Sequence, residues 1–219
     1  DMKQVIAYSS VSHMGIIMIG VFAMNAEGIS GSVFQMLSHG IVSGALFMLV
    51  GMIYDRRHTK LMSEFGGIAS VMPKFAVIFG IMLMASVGLP LTIGFVGEFL
   101  ILVGAFESEL RVFTVFATTG VILAAVYMLW MFQRVMFGEV TNPKNLPLKD
   151  LTVREALVLA PIVVFCVWIG VYPSTFIKPM EPSVKALLSQ VEKKKAVVLE
   201  LDKAQKLSEL RPAISVSAR

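Results

Sequence analysis

The chain has 219 residues, of which 56% are hydrophobic and only 16% are charged. Soluble domains carry about 25% charged residues, and several apolar runs here approach the ~20 residues that cross a bilayer as a helix. The net charge of +4 comes entirely from residues 173–219, and no basic stripe or recognition motif indicates nucleic-acid binding. A single cysteine, Cys166, excludes an intrachain disulfide and a cysteine-based metal cluster. The composition therefore predicts a polytopic helical membrane protein.

Five apolar stretches predict an all-α transmembrane helix bundle. In chain order they cover residues 5–24, 29–53, 74–106, 112–137 and 156–172. They make residues 1–175 a membrane region, whereas the basic, polar tail 176–219 has no apolar run long enough to cross. The tail either lies on the membrane surface as an amphipathic helix or is disordered. Because the first span follows Asp1 almost at once, without a signal peptide, we expect the chain to be part of a longer protein.

The third apolar stretch is too long for one straight crossing. A helix of thirty-odd residues would reach about 50 Å, whereas the hydrocarbon core is about 30 Å thick. Gly88, Pro90 and Gly94 lie in its middle, where proline removes a backbone donor and glycine permits a bend. We therefore expect a discontinuous helix over residues 74–106. Freed backbone groups at this depth must face protein or water, and interrupted helices often mark ion or substrate sites in transporters.

The basic residues outside the tail predict the orientation of the bundle. Nine of them fall on one side of the membrane, and only Arg111 falls on the other. The nine are Lys3, Arg56, Arg57, Lys60, Lys74, Arg134, Lys144, Lys149 and Arg154. Cytoplasmic loops carry an excess of lysine and arginine. The N-terminal end and the loops 54–73 and 138–155 are thus predicted to be cytoplasmic, and the tail to lie on the outer face.

Three ionisable residues are predicted to lie inside the bilayer. His13 and His39 fall near the middle of the first two spans, and Glu98 follows the predicted break by one turn. A charge at this depth costs about 2.5–3.5 kcal/mol on insertion scales, and histidine can both donate and accept protons near neutral pH. One interpretation is a proton path. The alternative is structural: neutral histidines bonded to Ser12, Ser38 or a carbonyl, and a protonated Glu98 bonded to the broken backbone.

Four further residues near the cytoplasmic face allow two interpretations each. Lys3 either extends its ammonium group to the interface as a helix-end anchor or approaches the proton path. Arg56, Arg57 and His58 form either a solvated cluster that sets orientation or a lateral contact with another subunit. No nucleotide-binding glycine motif, metal-ligand cluster or Ser-His-Asp arrangement occurs in the sequence. We therefore expect no redox centre, no metal site and no cofactor in this chain.

Several segments carry a resemblance to a known family. They are residues 1–15 (DMKQVIAYSSVSHMG), 35–40 (QMLSHG), 44–47 (GALF), 54–59 (YDRRHT) and 88–99 (GLPLTIGFVGEF). They resemble the proton-translocating, antiporter-like membrane subunits of respiratory complex I, the NADH-quinone oxidoreductase. The resemblance covers roughly residues 1–175 and is most specific over 1–106.

The resemblance implies a subunit of fourteen helices built from inverted five-helix repeats, of which this chain would hold the last five helices. It assigns His13, His39 and Glu98 to the proton path. The family has three sister subunits, and two of them carry lysine at the position of Glu98. The glutamate in this chain therefore favours the third subunit. The family's first-half glutamate–lysine pair and its central lysine would lie upstream of Asp1. The missing N-terminal half is therefore an expected partner.

The function implied by the resemblance is proton translocation in the membrane arm of NADH-quinone oxidoreductase, in a bacterial inner membrane. This chain would be a non-redox subunit, and NADH, flavin, iron–sulfur clusters and quinone would be bound by other subunits. Lipids and neighbouring antiporter-like subunits would surround it. Three alternatives remain open: a subunit of an Mrp-type cation/proton antiporter, a subunit of a membrane-bound hydrogenase, and a purely structural scaffold. The pattern of residues 54–59 favours complex I.

Overall fold

A computed structural model describes residues 1–216, with side-chain burial described up to residue 203. Its helices are α1 (Met2–Phe22), α2 (Ala26–Arg57), α3 (Ile68–Val71), α4 (Pro73–Ser86), α5 (Ile93–Glu107), α6 (Arg111–Met136), α7 (Val153–Val171) and α8 (Ser174–Val216). Short 3₁₀ turns occupy Met62–Glu64 and Pro143–Asn145. Residues 1–216 contain no strand, so the expected all-α fold is confirmed.

Four helices are long and apolar enough to cross a membrane: α1, α2, α6 and α7. The fifth crossing is divided between α4 and α5, which are separated by residues 87–92. The predicted discontinuous helix is therefore present. The 3.6-residue repeat of a helix turns one stripe of each span inward, and the inward stripes of all five crossings form one apolar core.

The break in the fifth crossing is a glycine-terminated helix end. Gly88 adopts a left-handed φ of 73°, the conformation that glycine accepts without a Cβ penalty. The N–H of Leu89 donates to the carbonyl of Met84 at 3.0 Å, and that of Gly88 donates to the carbonyl of Ala85 at 3.4 Å. This pair of bonds is a Schellman motif, which satisfies carbonyls that the end of α4 leaves free. Pro90 follows and cannot continue the helix.

Close helix contacts around this break depend on glycines. A Cβ on Gly94 would collide with the carbonyl oxygen of Ala85, so the start of α5 can lie this close to the end of α4 only with glycine there. A Cβ on Gly170 of α7 would likewise collide with the carbonyl oxygen of Leu91 and the backbone of Thr92. Residues 87–92 therefore pack directly against α7, and the start of α5 packs directly against the end of α4.

One face of the bundle, here called the basic face, gathers the ends predicted to be cytoplasmic. The N–H of Met2 donates to the carbonyl of Lys60 at 2.9 Å, which places the start of α1 beside the end of α2. Asp150 accepts from the N–H groups of Lys74 and Phe75 at 2.9 and 3.0 Å, which places the start of α7 beside the start of α4. The loops that carry most basic residues therefore lie together on one side.

The tail is helical as far as it is described. α8 starts on the opposite side from the basic face and packs against α2. Phe176, Ile177 and Met180 contact the core, and Val184 is buried. This spacing forms one apolar stripe of a helix, whereas residues 192–203 are exposed. The described part of the tail is therefore a helix whose first turns pack on the bundle, and its placement on a membrane surface stays a prediction.

Candidate functional site

The three intramembrane ionisable residues meet at one point. Nδ1 of His13 lies 3.0 Å from Oε1 of Glu98, and the ring centroids of His13 and His39 are 5.4 Å apart. His13 and Glu98 are each only 5% exposed, whereas His39 is half-buried. Gln35 joins them, because its Nε2 donates to Oε1 of Glu98 at 3.3 Å. We call these four residues the Glu98 cluster.

Helix geometry explains why four residues from three helices converge. Gln35 and His39 are one turn apart on α2, so they share a face. α2 packs more extensively on α5 than on any other helix, and the contact runs through glycines. An added Cβ on Gly97 would collide with the side chain of Gln35, and one on Gly31 would lie 2.8 Å from the backbone nitrogen of Ile101. The close approach of α2 to α5 brings Gln35 against Glu98.

The carboxyl group of Glu98 reaches back towards the break. Side chains on a helix point towards its N-terminus, and Oε2 of Glu98 would lie 2.6 Å from a Cβ placed on Gly88. The N-terminus of α5, with its free backbone N–H groups and positive dipole end, is on the same side. The N-cap residue Thr92 makes no side-chain cap, because its hydroxyl donates instead to the carbonyl of Leu89 at 2.6 Å. The break therefore places a partial positive charge near a buried carboxyl.

The Glu98 cluster is incompletely hydrogen-bonded. Nδ1 of His13 and Oε1 of Gln35 are buried without a hydrogen-bond partner among the protein atoms. The 3.0 Å contact between His13 and Glu98 is an ion-pair distance, but an N–H on Nδ1 does not point at the oxygen. Most buried polar groups in proteins are bonded, and the exceptions call for a bound water or a functional explanation.

This arrangement supports proton exchange between neighbouring groups. A protonated imidazole beside an ionised carboxylate is a neutral pair, which costs less in the membrane than either charge alone. Transfer of one proton from Nδ1 of His13 to Oε1 of Glu98 gives a neutral imidazole and a carboxylic acid. Both states are neutral overall, so the pair can exchange a proton at constant net charge. His39, half-buried on the other side of His13, extends the series of titratable groups.

Lys3 is not part of the Glu98 cluster. It is exposed in the first turn of α1 and, ten positions before His13, lies about 15 Å away along the helix. It lines a crevice of about 520 Å³ at the basic face, together with Phe47, Tyr54 and Lys60. Lys60 stands 4.5 Å from the centroid of the Tyr54 ring. The observed position agrees with the helix-end anchor and does not place Lys3 on a direct path.

Arg56 makes contacts within the chain. Its Nη1 and Nη2 donate to the two carboxylate oxygens of Glu155, each at 2.7 Å, and its Nε donates to the carbonyl of Lys149 at 3.0 Å. Glu155 also forms a capping box with Thr152 at the start of α7. Arg56 thus ties the end of α2 to the start of α7.

Arg57 is likewise bonded within the chain, whereas the side chain of His58 makes an edge-on ring contact with Tyr54 at 5.9 Å between centroids. Nε of Arg57 donates to Oδ1 of Asn145 at 2.6 Å, and its Nη2 lies 3.5 Å from Oε2 of Glu64. Asn142 donates to the same Glu64 carboxylate at 2.8 Å. We call Arg56, Arg57 and these partners the basic-face clamp. His58, exposed at a φ of 53°, is the member of the predicted trio that remains accessible to another subunit.

Sequence reasoning missed Gln35 and Tyr127. Gln35 lies one turn before His39, so a search for polar residues on the same face of α2 would have found it. Tyr127 lies in mid-α6, and its hydroxyl oxygen is buried without a hydrogen-bond partner. Its hydroxyl lies next to that of Ser9 and is close enough to Glu98 for the two groups to interact electrostatically. A tyrosine inside an apolar span carries no distinctive spacing, so only the packing identifies it.

The sequence matches a family of known membrane proteins. Residues 1–124 match the family model described as NADH:quinone oxidoreductase/Mrp antiporter, transmembrane. The chain is 50% identical over 188 residues to NADH-quinone oxidoreductase subunit M of Rhodobacter capsulatus, covering 86% of this chain and 36% of that protein. This match confirms the resemblance inferred from the sequence. The matching subunit, named M, is the one that the glutamate at position 98 favoured.

Solved structures show the same fold. The structure of respiratory complex I from Thermus thermophilus with bound NADH contains a chain that matches with a TM-score of 0.78 and 33% identity, over 84% of this chain and 38% of that one. The Mrp complex of Dietzia sp. DQ12-45-1b matches with a TM-score of 0.76 at 20% identity, over 88% of this chain and 44% of that one, which shows the fold alone. The chain thus spans well under half the length of these relatives. With its family match over residues 1–124, the chain belongs to the NADH:quinone oxidoreductase/Mrp antiporter transmembrane family.

Proposed function

We propose that this chain is the C-terminal part of a membrane-arm subunit that translocates protons in an NADH-quinone oxidoreductase. The observation that carries the proposal is the contact of His13 with Glu98 beside an interrupted helix. The 50% identity to a protein named subunit M supports the assignment to this complex. The proposed setting is a bacterial inner membrane, with other complex I subunits and the upstream half of the same subunit as partners. NADH, flavin, iron–sulfur clusters and quinone are proposed to be held by those other subunits.

In the proposed mechanism, His39 and His13 pass protons to Glu98, which releases them towards the outer face. When the His13 ring turns so that its Nδ1–H points at Oε1 of Glu98, His13 gives up this proton and Glu98 accepts it, so the two groups become neutral together. Release then leaves Glu98 ionised until His13 is protonated again. Directional pumping requires that the surroundings of Glu98 differ between loading and release. The interrupted backbone beside Gly88 is the element of this chain best placed to change, because Pro90 and the left-handed residues Gly88 and Leu91 end the regular helix there.

Replacement of Glu98 by glutamine in the assembled complex tests this proposal. Glutamine keeps the shape of the side chain but cannot bind the transferred proton. We expect the number of protons taken up into vesicles per NADH oxidised to fall. Glu107→Gln is the matched control, because Glu107 ends the same helix and is exposed. Full pumping stoichiometry in Glu98→Gln would show that this carboxyl is not required.

An Mrp-type antiporter subunit is the competing function. It is favoured by the shared family model and by the fold of the Dietzia complex. The 33% identity to the Thermus complex I chain, against 20% to the Mrp chain, favours complex I. The genes beside the coding sequence separate the two: dehydrogenase subunits support the proposal, and other antiporter subunits contradict it.

A further inference from the structure

A second polar residue, Tyr127 of α6, lies near the Glu98 cluster. The hydroxyl oxygen of Tyr127 is buried and has no hydrogen-bond partner among the protein atoms. The Ser9 hydroxyl is adjacent to it, and Glu98 lies within electrostatic range. Ser9 donates its own proton to the carbonyl of Ile6 at 2.7 Å, so its oxygen remains free to accept. Tyr127 thus brings an unused hydroxyl group to the edge of the cluster.

The same tyrosine lines a crevice that leads towards the basic face. This crevice between α1 and α6, here called the α1–α6 crevice, has a volume of about 370 Å³. It is lined by Asp1, Gln4, Val5, Tyr8, Ser12 and Tyr127. Gln4, Tyr8 and Ser12 follow one another at four-residue intervals, so they form a single polar stripe of α1 that rises about 12 Å. The stripe begins at the basic face and ends beside His13.

Two crevices of comparable size, on α7 and on α4, are lined differently. The α7 crevice is lined by four valines together with Trp168 and Tyr172, and the α4 crevice is lined by apolar side chains except for Lys74. Both are suited to lipid chains. In the α1–α6 crevice, all lining residues except Val5 carry a polar group. Polar side chains that face a cavity within the membrane are typical of water-accessible pathways.

We propose that Tyr127 relays protons between the α1–α6 crevice and the Glu98 cluster, through a water molecule held between its hydroxyl and that of Ser9. This proposal rests on the proposed function and adds a route by which protons reach Glu98 from the basic face. In each transfer the phenol oxygen accepts a proton from a hydronium ion in the crevice, which becomes water, while the phenol's own proton passes to the bridging water and from there towards Glu98. The phenol is neutral before and after, so no charge is left on α6. His13 and Tyr127 then supply the same carboxyl from different sides.

Two measurements on the assembled complex test the relay. The first is Tyr127→Phe, which keeps the ring packing and removes only the hydroxyl. Positioned proton-transfer groups contribute about 10²–10⁴-fold to rate; because water can occupy the vacated space, we expect the rate of proton uptake to fall by about tenfold. Tyr172→Phe is the matched control, since Tyr172 is exposed at the far end of α7.

The second measurement does not depend on the assembly of a tyrosine variant. Cysteine is placed at Ser12, inside the crevice, or at the neighbouring Val11, and a charged, membrane-impermeant thiol reagent is added at the basic face. The natural Cys166 is fully buried and should not react. We expect Ser12→Cys to be modified, with loss of pumping, and Val11→Cys to stay unmodified although its side chain is 67% exposed to the apolar surroundings.

The outcomes separate this inference from the proposed function. Full pumping in Tyr127→Phe, or an unreactive thiol at position 12, overturns the relay. If Glu98→Gln lowers pumping while Tyr127→Phe does not, the proton path through Glu98 stands and the route from the crevice is wrong. If neither variant lowers pumping, the proposed function itself is wrong.

Discussion

The Glu98 cluster and the basic-face clamp are built from the same kinds of side chain but are bonded differently. In the clamp, Arg56 makes two bonds to Glu155 at 2.7 Å and three further bonds to backbone carbonyls. The second arginine of the clamp, Arg57, is bonded through Nε, but its Nη2 is buried without a hydrogen-bond partner in the described part of the chain and lies 3.5 Å from Oε2 of Glu64. In the Glu98 cluster, the carboxyl accepts one hydrogen bond, at 3.3 Å, and polar atoms of His13 and Gln35 have no partner. The cluster is also the more deeply buried of the two.

This difference separates a structural role from a functional one. A charge that is held by several short bonds is stabilised in one protonation state, and a change of state would cost all of those bonds. A buried group with few bonds can change its protonation state at lower cost, and its unpaired neighbours can accept water. The clamp therefore fixes helix ends, whereas the cluster is suited to proton transfer. Substitutions in the two regions should affect different measurements.

The largest effect is expected from His13→Leu. The substitution removes the imidazole next to Glu98 and leaves a side chain that suits an apolar span. We expect proton pumping to slow by about 10²–10⁴-fold, the range for a positioned proton-transfer group, while the thermal unfolding temperature of the complex changes little. Met14→Leu, one residue along and exposed, is the control. If the His13→Leu complex pumps normally, the Glu98 cluster does not have the proton-transfer role that distinguishes it from the basic-face clamp.

Arg56→Ala should have the converse effect. It leaves Glu155 without its main partner in a place where the two side chains are only 16% and 20% exposed. Breaking such a pair costs about 3–5 kcal/mol, so we expect less subunit in the membrane and a lower unfolding temperature. Protons pumped per NADH should stay normal in the complexes that do assemble. Arg154→Ala, an exposed neighbour, should behave as wild type.

Gly170→Ala connects the two regions. Its Cβ would meet the carbonyl oxygen of Leu91 and the backbone of Thr92, and Leu91 already has a φ of 74°. Overpacking of this kind costs about 1–3 kcal/mol, and it should displace the break that positions Glu98. We expect both stability and pumping to fall. Gly120→Ala is the control, because a Cβ there meets no atom within 4 Å. Equal behaviour of the two variants would show that α7 does not brace the break.

The smallest effect is expected on α8. Lys185 pairs with Glu181 at 3.8 Å, and its side chain is 74% exposed. Exposed pairs of this type contribute roughly 0–1 kcal/mol, so Lys185→Ala should change the free energy of unfolding by no more than about 0.5 kcal/mol. The measurement is the unfolding temperature at low and high salt. A large destabilisation would mean that charge pairing, rather than burial, decides which ion pairs stabilise this protein.

The titratable residues of the candidate site were predicted from the sequence, whereas the residues that surround them were not. His13, His39 and Glu98 stood out because ionisable groups are rare at mid-membrane depth. Gln35 and Tyr127 are uncharged, so a search for charged groups passed over them, although the position of Gln35 one turn before His39 was a usable signal. For Arg56 and Arg57, the sequence allowed either solvent or a neighbouring subunit as partner. Their partners Glu155 and Asn145 lie about ninety residues away, and no local pattern indicates such contacts.

Local chemistry alone determined the number of crossings, the interrupted helix and the side of the basic loops. Apolar length, glycine and proline act within a few turns of helix, and the distribution of lysine and arginine needs only the order of the spans. The tertiary structure decided which polar groups touch. That depends on how each helix is rotated about its axis and how closely it approaches its neighbour, and here glycine contacts such as Gly97 against Gln35 set both.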